Sequence, residues 1–346
     1  MSLSEKEKEL VAIGASIGGN CIPCLQWHYK KCKELGCSND EMEEAFGVAK
    51  KVKEVPNNKI YETAKGLIMQ NKTTSNEQVR ETVRIGYAAI AKGDSSCGGG
   101  GCCGQPDPAK LAKAVGYDAQ SLANLPDGAN MGLSCGNPVA IAALEEGQTV
   151  LDLGSGGGFD AFQAGVKVKA SGRVIGVDMT PEMLAKARKN LEQYRQCPGL
   201  DNVEFRLGEI EHLPVADASI DVALSNCVIN LSPDKPQVWR EIFRVLKPGG
   251  KVSISDLALL KPLPDNIQEM AAALVGCVAG AALVSETRTM LEQAGFTSIV
   301  LTPKPDYVRS MQDWNDPLYR QIAETLPQGE EMADYVVSLD IEARKK

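Results

Sequence analysis

Histidine is nearly absent from this chain of 346 residues, with only His28 and His212 present. A conventional zinc enzyme, which draws on several imidazoles, is therefore a poor fit. An excess of positive charge is missing as well. Thirty-seven Lys and Arg stand against 45 Asp and Glu, a net charge of −8. That is the wrong sign for a protein that tracks a phosphate backbone, and no nucleic-acid partner is expected. Long apolar runs are lacking too: the longest, Met270 to Val284, has 15 residues and falls short of a bilayer span. The opening MSLSEKEKEL reads as a charged helix without the apolar stretch of an export signal. The expectation is a cytoplasmic protein with no membrane association.

Cysteine is plentiful by contrast. Eleven is an odd number, and in a reducing compartment it points to metal, metalloid or redox chemistry more than to a disulfide framework. The chain is long enough for one large domain and a smaller unit. From Ser4 to about Asn71 the apolar residues fall at helical spacing, and Ser38 and Asn39 sit as helix caps ahead of acidic residues, so residues 1–74 read as a small all-α domain. Residues 75–110 read as a helix, Asn76 to Ala91, followed by KGDSSCGGGGCCGQPDP, whose glycines and prolines suit a loop. In the remainder, 111–346, short β-branched runs (TVLDLGS, RVIGVDM, VEFRLGE, DVALSNC, KVSISDL) alternate with amphipathic helices from Gly147 on. This is the rhythm of an α/β fold with an open, mostly parallel sheet. SIVLTP and DYVVSLDIEA complete the strands, the second with the alternation of an antiparallel one. The stretch around MAAALVGCVAGAALV reads as an apolar helix.

In VLDLGSGGGFD a buried strand breaks into Gly154, Gly156, Gly157 and Gly158 before a helix begins, which permits a tight turn and close approach of a cofactor to the backbone. Glycines alone would also suit a dinucleotide. The acidic positions discriminate. Asp152 lies where a carboxylate can hold a zwitterionic methionyl tail. Asp178, followed by Met179 at the end of the next strand, can accept two ribose hydroxyls. Glu209 and Ile210, after the third strand, can flank an adenine edge. With the later LKPGGKV, these segments closely resemble the class I S-adenosylmethionine methyltransferases from about Gly147 onward. The resemblance implies a Rossmann-like seven-stranded sheet with one antiparallel strand, S-adenosylmethionine across its carboxyl edge, and the acceptor above, with Asn226 also on the cofactor side.

Three cysteines fall in segments that face such an acceptor: Cys135 in GANMGLSCGNPVAI, Cys227 in SNCVINL and Cys277 in the apolar stretch. Singly, each reads as a small buried apolar residue. Together, three thiolates suit a soft trivalent centre such as arsenite, leaving one lone pair to attack a methyl group without a general base. PDGANMGLSCGNP, SNCVINLSPDK and GCVAGA resemble the cysteine segments of arsenite methyltransferases, and VRETVRIGYAAIAKGDSSC resembles their N-terminal helix leading into a cysteine-bearing loop. That resemblance implies that Cys227 and Cys277 are arsenic ligands. It also implies that Cys135 is a third ligand able instead to pair with a loop cysteine, for which Cys103 is favoured over Cys97 and Cys102. The implied substrate is arsenite or its thiol conjugates, with antimonite also plausible chemically. The rivals are a quinone-type methyltransferase and a non-catalytic metalloid-binding protein.

Near the start, Cys21 and Cys24 have CxxC spacing and His28 follows Cys24 by four residues on the same helix face, where imidazole can lower the thiol pKa or relay its proton. Glu9, on the preceding helix, can orient that histidine. Half of a zinc site lacks its other ligands nearby, and a thioredoxin-like unit is excluded by the lack of strands. The four residues match in type and spacing the alkylhydroperoxidase members of the carboxymuconolactone decarboxylase family, which implies a helical redox dithiol unit served by a thiol reductant such as thioredoxin or a small thiol. Homo-oligomerisation through this unit is a further expectation. Cys32 and Cys37 read as structural.

Overall fold

The computed structural model describes residues 3–92, 108–118, 122, 125–126, 128–264, 267, 277–278, 280–308, 326–327 and 329–346, with the side chains of 52–75 outside that description. Contacts divide the chain into two compact units, Met1–Ser75 and Asn76–Lys346. Residues from Asn76 on, expected in a linking stretch of 75–110, thus cluster with the second unit.

Three helices build the first unit: α1 (Glu5–Gly18), α2 (Ile22–Glu34) and the start of α3 (Asn39–Lys92). Each start has a chemical reason. Ser4 and Glu7 form a capping box on α1, Cys21 caps α2 ahead of Pro23, and Ser38 and Glu41 exchange hydrogen bonds of 2.8 and 3.2 Å at the start of α3. Ile13, Cys32, Cys37 and Met42 form the small core. Cys32 and Cys37 therefore pack as apolar residues, and burial pushes the Cys32 thiol up to about 12, which suits a structural role.

The second unit is built on β1 (Thr149–Leu153), β2 (Arg173–Asp178), β3 (Val203–Leu207), β4 (Ile220–Asn226), β5 (Leu246–Leu259), β6 (Phe296–Lys304) and β7 (Val336–Lys345). Their order is β3-β2-β1-β4-β5-β7-β6, and only β7 runs antiparallel, pairing with both β5 and β6. The chain reverses between β1 and β4, so a crevice opens beyond their carboxyl ends.

Side-chain alternation divides the core in two. Val150, Val222 and Leu224 face Phe162 of α6 (Phe159–Val168) and Tyr194 of α7 (Pro181–Gln196). Leu151, Leu153 and Ala223 face Trp239 of α8 (Lys235–Val245) and Phe296. Central strands are buried on both faces and carry continuous apolar runs for that reason. Two short helices, α4 (Pro108–Ala114) and α5 (Pro138–Ala142), precede the sheet, and α9 (Val284–Ala294) follows β5.

The apolar stretch 270–284 departs from the expected helix at its described end. Cys277 occupies a turn with φ of 63°, a left-handed conformation that a right-handed helix cannot contain. Leu283 then pairs as an isolated bridge with Leu259.

Gly158 shows how closely the glycine turn is packed. Its φ is +93°, and a Cβ there would lie 2.5 Å from Phe162 and 2.9 Å from Phe205. Gly158→Ala is expected to destabilise the second unit by at least about 2 kcal/mol, through backbone strain and overpacking together. Urea unfolding followed by tryptophan fluorescence measures this.

Candidate functional site

A cleft opens at the carboxyl ends of β1, β2 and β4. Its floor is the turn after β1, where the Gly154 and Ser155 N–H groups donate to the Val177 carbonyl at 2.8 and 3.0 Å. Asp178 ends β2 and accepts from Gly156 N at 2.9 Å and Thr180 N at 2.8 Å, one bond on each oxygen. Each oxygen keeps a further lone pair. Asp152 is 3% exposed, and its Oδ2 is a buried acceptor without a protein partner. Such an atom is costly unless a ligand donates to it.

A third carboxylate joins them. Asp160, in the first turn of α6, accepts from the Tyr117 hydroxyl at 2.5 Å and from Asn226 Nδ2 at 2.9 Å. Burial, opposed by those two bonds, raises its pKa to about 6. Burial first, and then the charges of Asp160 and Asp178, raise Asp152 well above the carboxylate range; burial raises Asp178 too. Three clustered acids held towards their neutral forms make a receptor for a cation.

Met179 and Ile210 line the cleft as expected from sequence, along with Asp152, Gly154, Gly156 and Asp178. Glu209 does not. β3 ends at Leu207, and the Glu209 carboxylate turns to Arg80, 3.6 Å away, outside the lining. The glutamate within the lining is Glu211, 3% exposed, bonded to Ser232 Oγ at 2.6 Å and to Arg80 at 3.4 Å. Arg80 and Tyr87 reach the cleft from α3. Sequence reading passed over Arg80, Tyr87, Tyr117, Asp160 and Glu211. For Asp160 a signal existed, since it directly follows the glycine turn.

The three cysteines, more than 90 and then 50 positions apart, converge in one buried cluster. Cys227 directly follows β4 with φ of 57° and lines the cleft. Cys135 lies behind it, its N–H donating to Asn226 Oδ1 at 3.0 Å, and its sulfur is joined to that of Cys227 as a disulfide with Cα atoms 6.0 Å apart. Its partner here is Cys227; Cys97, Cys102 and Cys103, expected as alternative partners, lie outside the described residues. The Cys277 thiol donates to the Cys227 carbonyl at 2.9 Å and lies 4.0 Å from the Tyr87 hydroxyl. Burial pushes this thiol well above its ordinary pKa. Two cysteines at positive φ within one cluster are backbone strain held by the surrounding packing, a recurrent property of functional sites.

In the first unit Cys21 and Cys24 are joined as a disulfide, Cα to Cα 5.3 Å, at the N-terminus of α2. A helix N-terminus favours a thiolate once the bond is reduced. Glu9 lies 2.7 Å from His28 Nδ1, the pairing expected from sequence, and Cys24 is exposed.

Residues 144–295 match the methyltransferase-domain family, and residues 1–57 match the carboxymuconolactone decarboxylase family. An arsenite methyltransferase of Halobacterium salinarum is 46% identical over 278 residues, covering 78% of this chain and 67% of that protein. The human arsenite methyltransferase is 32% identical, covering 63% of this chain and 58% of its own length. Among solved structures, an arsenic(III) S-adenosylmethionine methyltransferase from Chlamydomonas reinhardtii is 32% identical with a TM-score of 0.50, covering 70% of this chain and 74% of that one. No described helix is long and apolar enough to cross a membrane. With a class I methyltransferase fold, a carboxylate-lined cleft and a cysteine cluster at its edge, the chain belongs to the arsenite methyltransferases, which depend on S-adenosylmethionine, and carries a carboxymuconolactone decarboxylase-type unit in the same polypeptide.

Proposed function

We infer that this protein methylates trivalent arsenic bound by the thiolates of Cys135, Cys227 and Cys277, and that its N-terminal dithiol supplies reducing equivalents to that chemistry. The observation that carries the reading is the convergence of the three cysteines beside a cleft whose acids suit a cationic cofactor. A quinone-type acceptor would give no reason to gather them, and a passive metalloid binder would have no use for the glycine turn and its carboxylates.

The residues of the cleft fit S-adenosylmethionine. Asp152 Oδ2, lacking a protein donor, is placed for the ammonium group of the methionyl tail, Asp178 for the ribose hydroxyls, and Ile210 with Met179 for the adenine side. When bound, the cofactor supplies a methyl group made electrophilic by its sulfonium. Asn226 links the two halves of the site: its Oδ1 fixes the Cys135 backbone, and its Nδ2 meets Asp160. The Cys135–Cys227 bond must be reduced before arsenic can be held by both sulfurs. Three sulfur bonds then leave the arsenic lone pair as the nucleophile, and no proton has to leave the attacking atom. Aligning that lone pair with the methyl carbon is the main contribution of the rigid cluster, since proximity and orientation together supply up to about 7–11 kcal/mol.

The redox unit fits the same demand. Cys24 is exposed, Cys21 caps α2, and the Glu9–His28 pair can carry the proton that accompanies thiol exchange. The implied outside partner is a thiol reductant, and association of copies through this unit is part of the proposal.

Three measurements test it. Cys227→Ser is expected to abolish methylation of trivalent arsenic while cofactor affinity stays at the parent value; undiminished methylation would refute the assignment. Cys21→Ser is expected to complete fewer turnovers than the parent when external thiol is limiting, read as product per enzyme, and equal turnover counts would remove the redox role. The third concerns pH. Asp160 titrates at about 6 without ligand and a cation favours its ionised form, so cofactor binding releases protons and weakens as pH falls from 7 to 5. Calorimetry in two buffers of different ionisation enthalpy reads the proton release, and a pH-independent affinity without it would show that these acids do not face the cation.

A further inference from the structure

Asp256 sits beside Cys135 and Cys227, and nothing in the mechanism above uses it. It lies in β5, 2% exposed. Oδ1 accepts from Asn230 Nδ2 and Leu257 N, both at 2.8 Å, and Oδ2 accepts from Asn230 N at 3.3 Å. A carboxylate oxygen and the sulfurs of Cys135 and Cys227 all lie within 4.8 Å of one another, all three residues buried. The charge of Asp256 is also felt by the Cys277 thiol and by the half-buried Lys235. Placing an acid in so apolar a cluster costs stability.

We propose that Asp256 is a catalytic residue, its carboxylate stabilising the positive charge that arsenic gains as its lone pair becomes the bond to the methyl carbon. This rests on the reading of Cys135, Cys227 and Cys277 as arsenic ligands. The step balances without a proton, oxidant or reductant. An arsenic–carbon bond forms from the arsenic lone pair, and the carbon–sulfur bond of the sulfonium breaks with its electron pair left on sulfur. A neutral thioether departs, and the formal positive charge passes from sulfur to arsenic. Three-thiolate arsenic is neutral before transfer and cationic after it. A fixed carboxylate beside the sulfurs thus acts more strongly on the transition state than on the bound substrate, and its effect belongs in the rate of transfer and not in arsenite affinity.

The test uses the full chain, reduced with a dithiol, as parent, Asp256→Asn and Asp256→Glu. Arsenite affinity is measured by equilibrium dialysis without cofactor, and methyl transfer as a single-turnover rate with both ligands bound. Asp256→Asn keeps an acceptor for Asn230 and Leu257 but removes the charge. It should bind arsenite within about threefold of the parent and transfer methyl about 100-fold more slowly, the scale of losing one preorganised electrostatic group. Asp256→Glu restores the charge and should recover part of that loss. Asp256→Ser takes the place of the Asn variant, with the same two readouts, should the latter fail to fold. Transfer within about threefold of the parent rate, or loss of arsenite affinity in step with rate, overturns the proposal. A parent chain that does not methylate arsenite overturns instead the functional reading beneath it.

Discussion

The Asn226 side chain is the contact on which the rest of the site depends. It ends β4, the strand beside the sheet's reversal point, and its carboxamide faces two ways. Towards the acceptor it takes the Cys135 N–H at 3.0 Å and reaches the Gly136 carbonyl at 3.1 Å; towards the cofactor cleft it reaches Asp160 at 2.9 Å and Tyr117 at 3.2 Å. Buried amides of this kind fix geometry because every partner they lose is left unsatisfied in a low-dielectric interior. The segment carrying Cys135 is thereby placed against Cys227, the residue that follows Asn226. Methyl donor and acceptor sites meet at one side chain.

Around that contact the electrostatics divide. On the cofactor side burial raises Asp152, Asp160 and Asp178, and the charges of the last two further disfavour ionisation of Asp152, a situation that a sulfonium or ammonium group relieves. On the proposed acceptor side Asp256 stands beside the sulfurs of Cys135 and Cys227. The two regions share the carboxyl edge of one sheet, and in the proposed reaction they would serve charge at different moments, one holding a cation on arrival and the other meeting a cation formed during transfer. Cys227 and Cys277 both adopt left-handed backbone, and the Cys277 thiol meets the Cys227 carbonyl, at a strain that β5 and the packed cluster sustain.

Much of the fold was legible in the chain because it depends on local pattern. Short β-branched runs marked all seven strands, and the alternation in DYVVSLDIEA marked β7 as the antiparallel one. The glycine turn with Asp152 and Asp178 was legible as well, since its residues are neighbours in sequence or sit at the ends of successive strands. The direction of the Glu209 side chain was not legible, because a residue past a strand end is not held to the strand's alternation; it lies 3.6 Å from Arg80, on a helix 129 positions earlier. The stretch around Cys277 has the composition of a buried helix. Composition says nothing of φ, and the turn there appears only when the chain must present a thiol to the Cys227 carbonyl.

The sequence by itself determined the class of the protein: a glycine-broken strand with acids at fixed offsets for the cofactor, a CxxC–His pair with a preceding glutamate, and three cysteines in segments of matching type. These depend on residue identity and short-range spacing, which survive in a one-dimensional record. Tertiary structure decided which groups act together. Cys135 against Cys227, Arg80 against Glu211, and Asp256 among the sulfurs are contacts between positions far apart in the chain, brought to one sheet edge by parallel strand pairing and held by buried hydrogen bonds. Distance between such groups is a property of packing, and no local pattern encodes it.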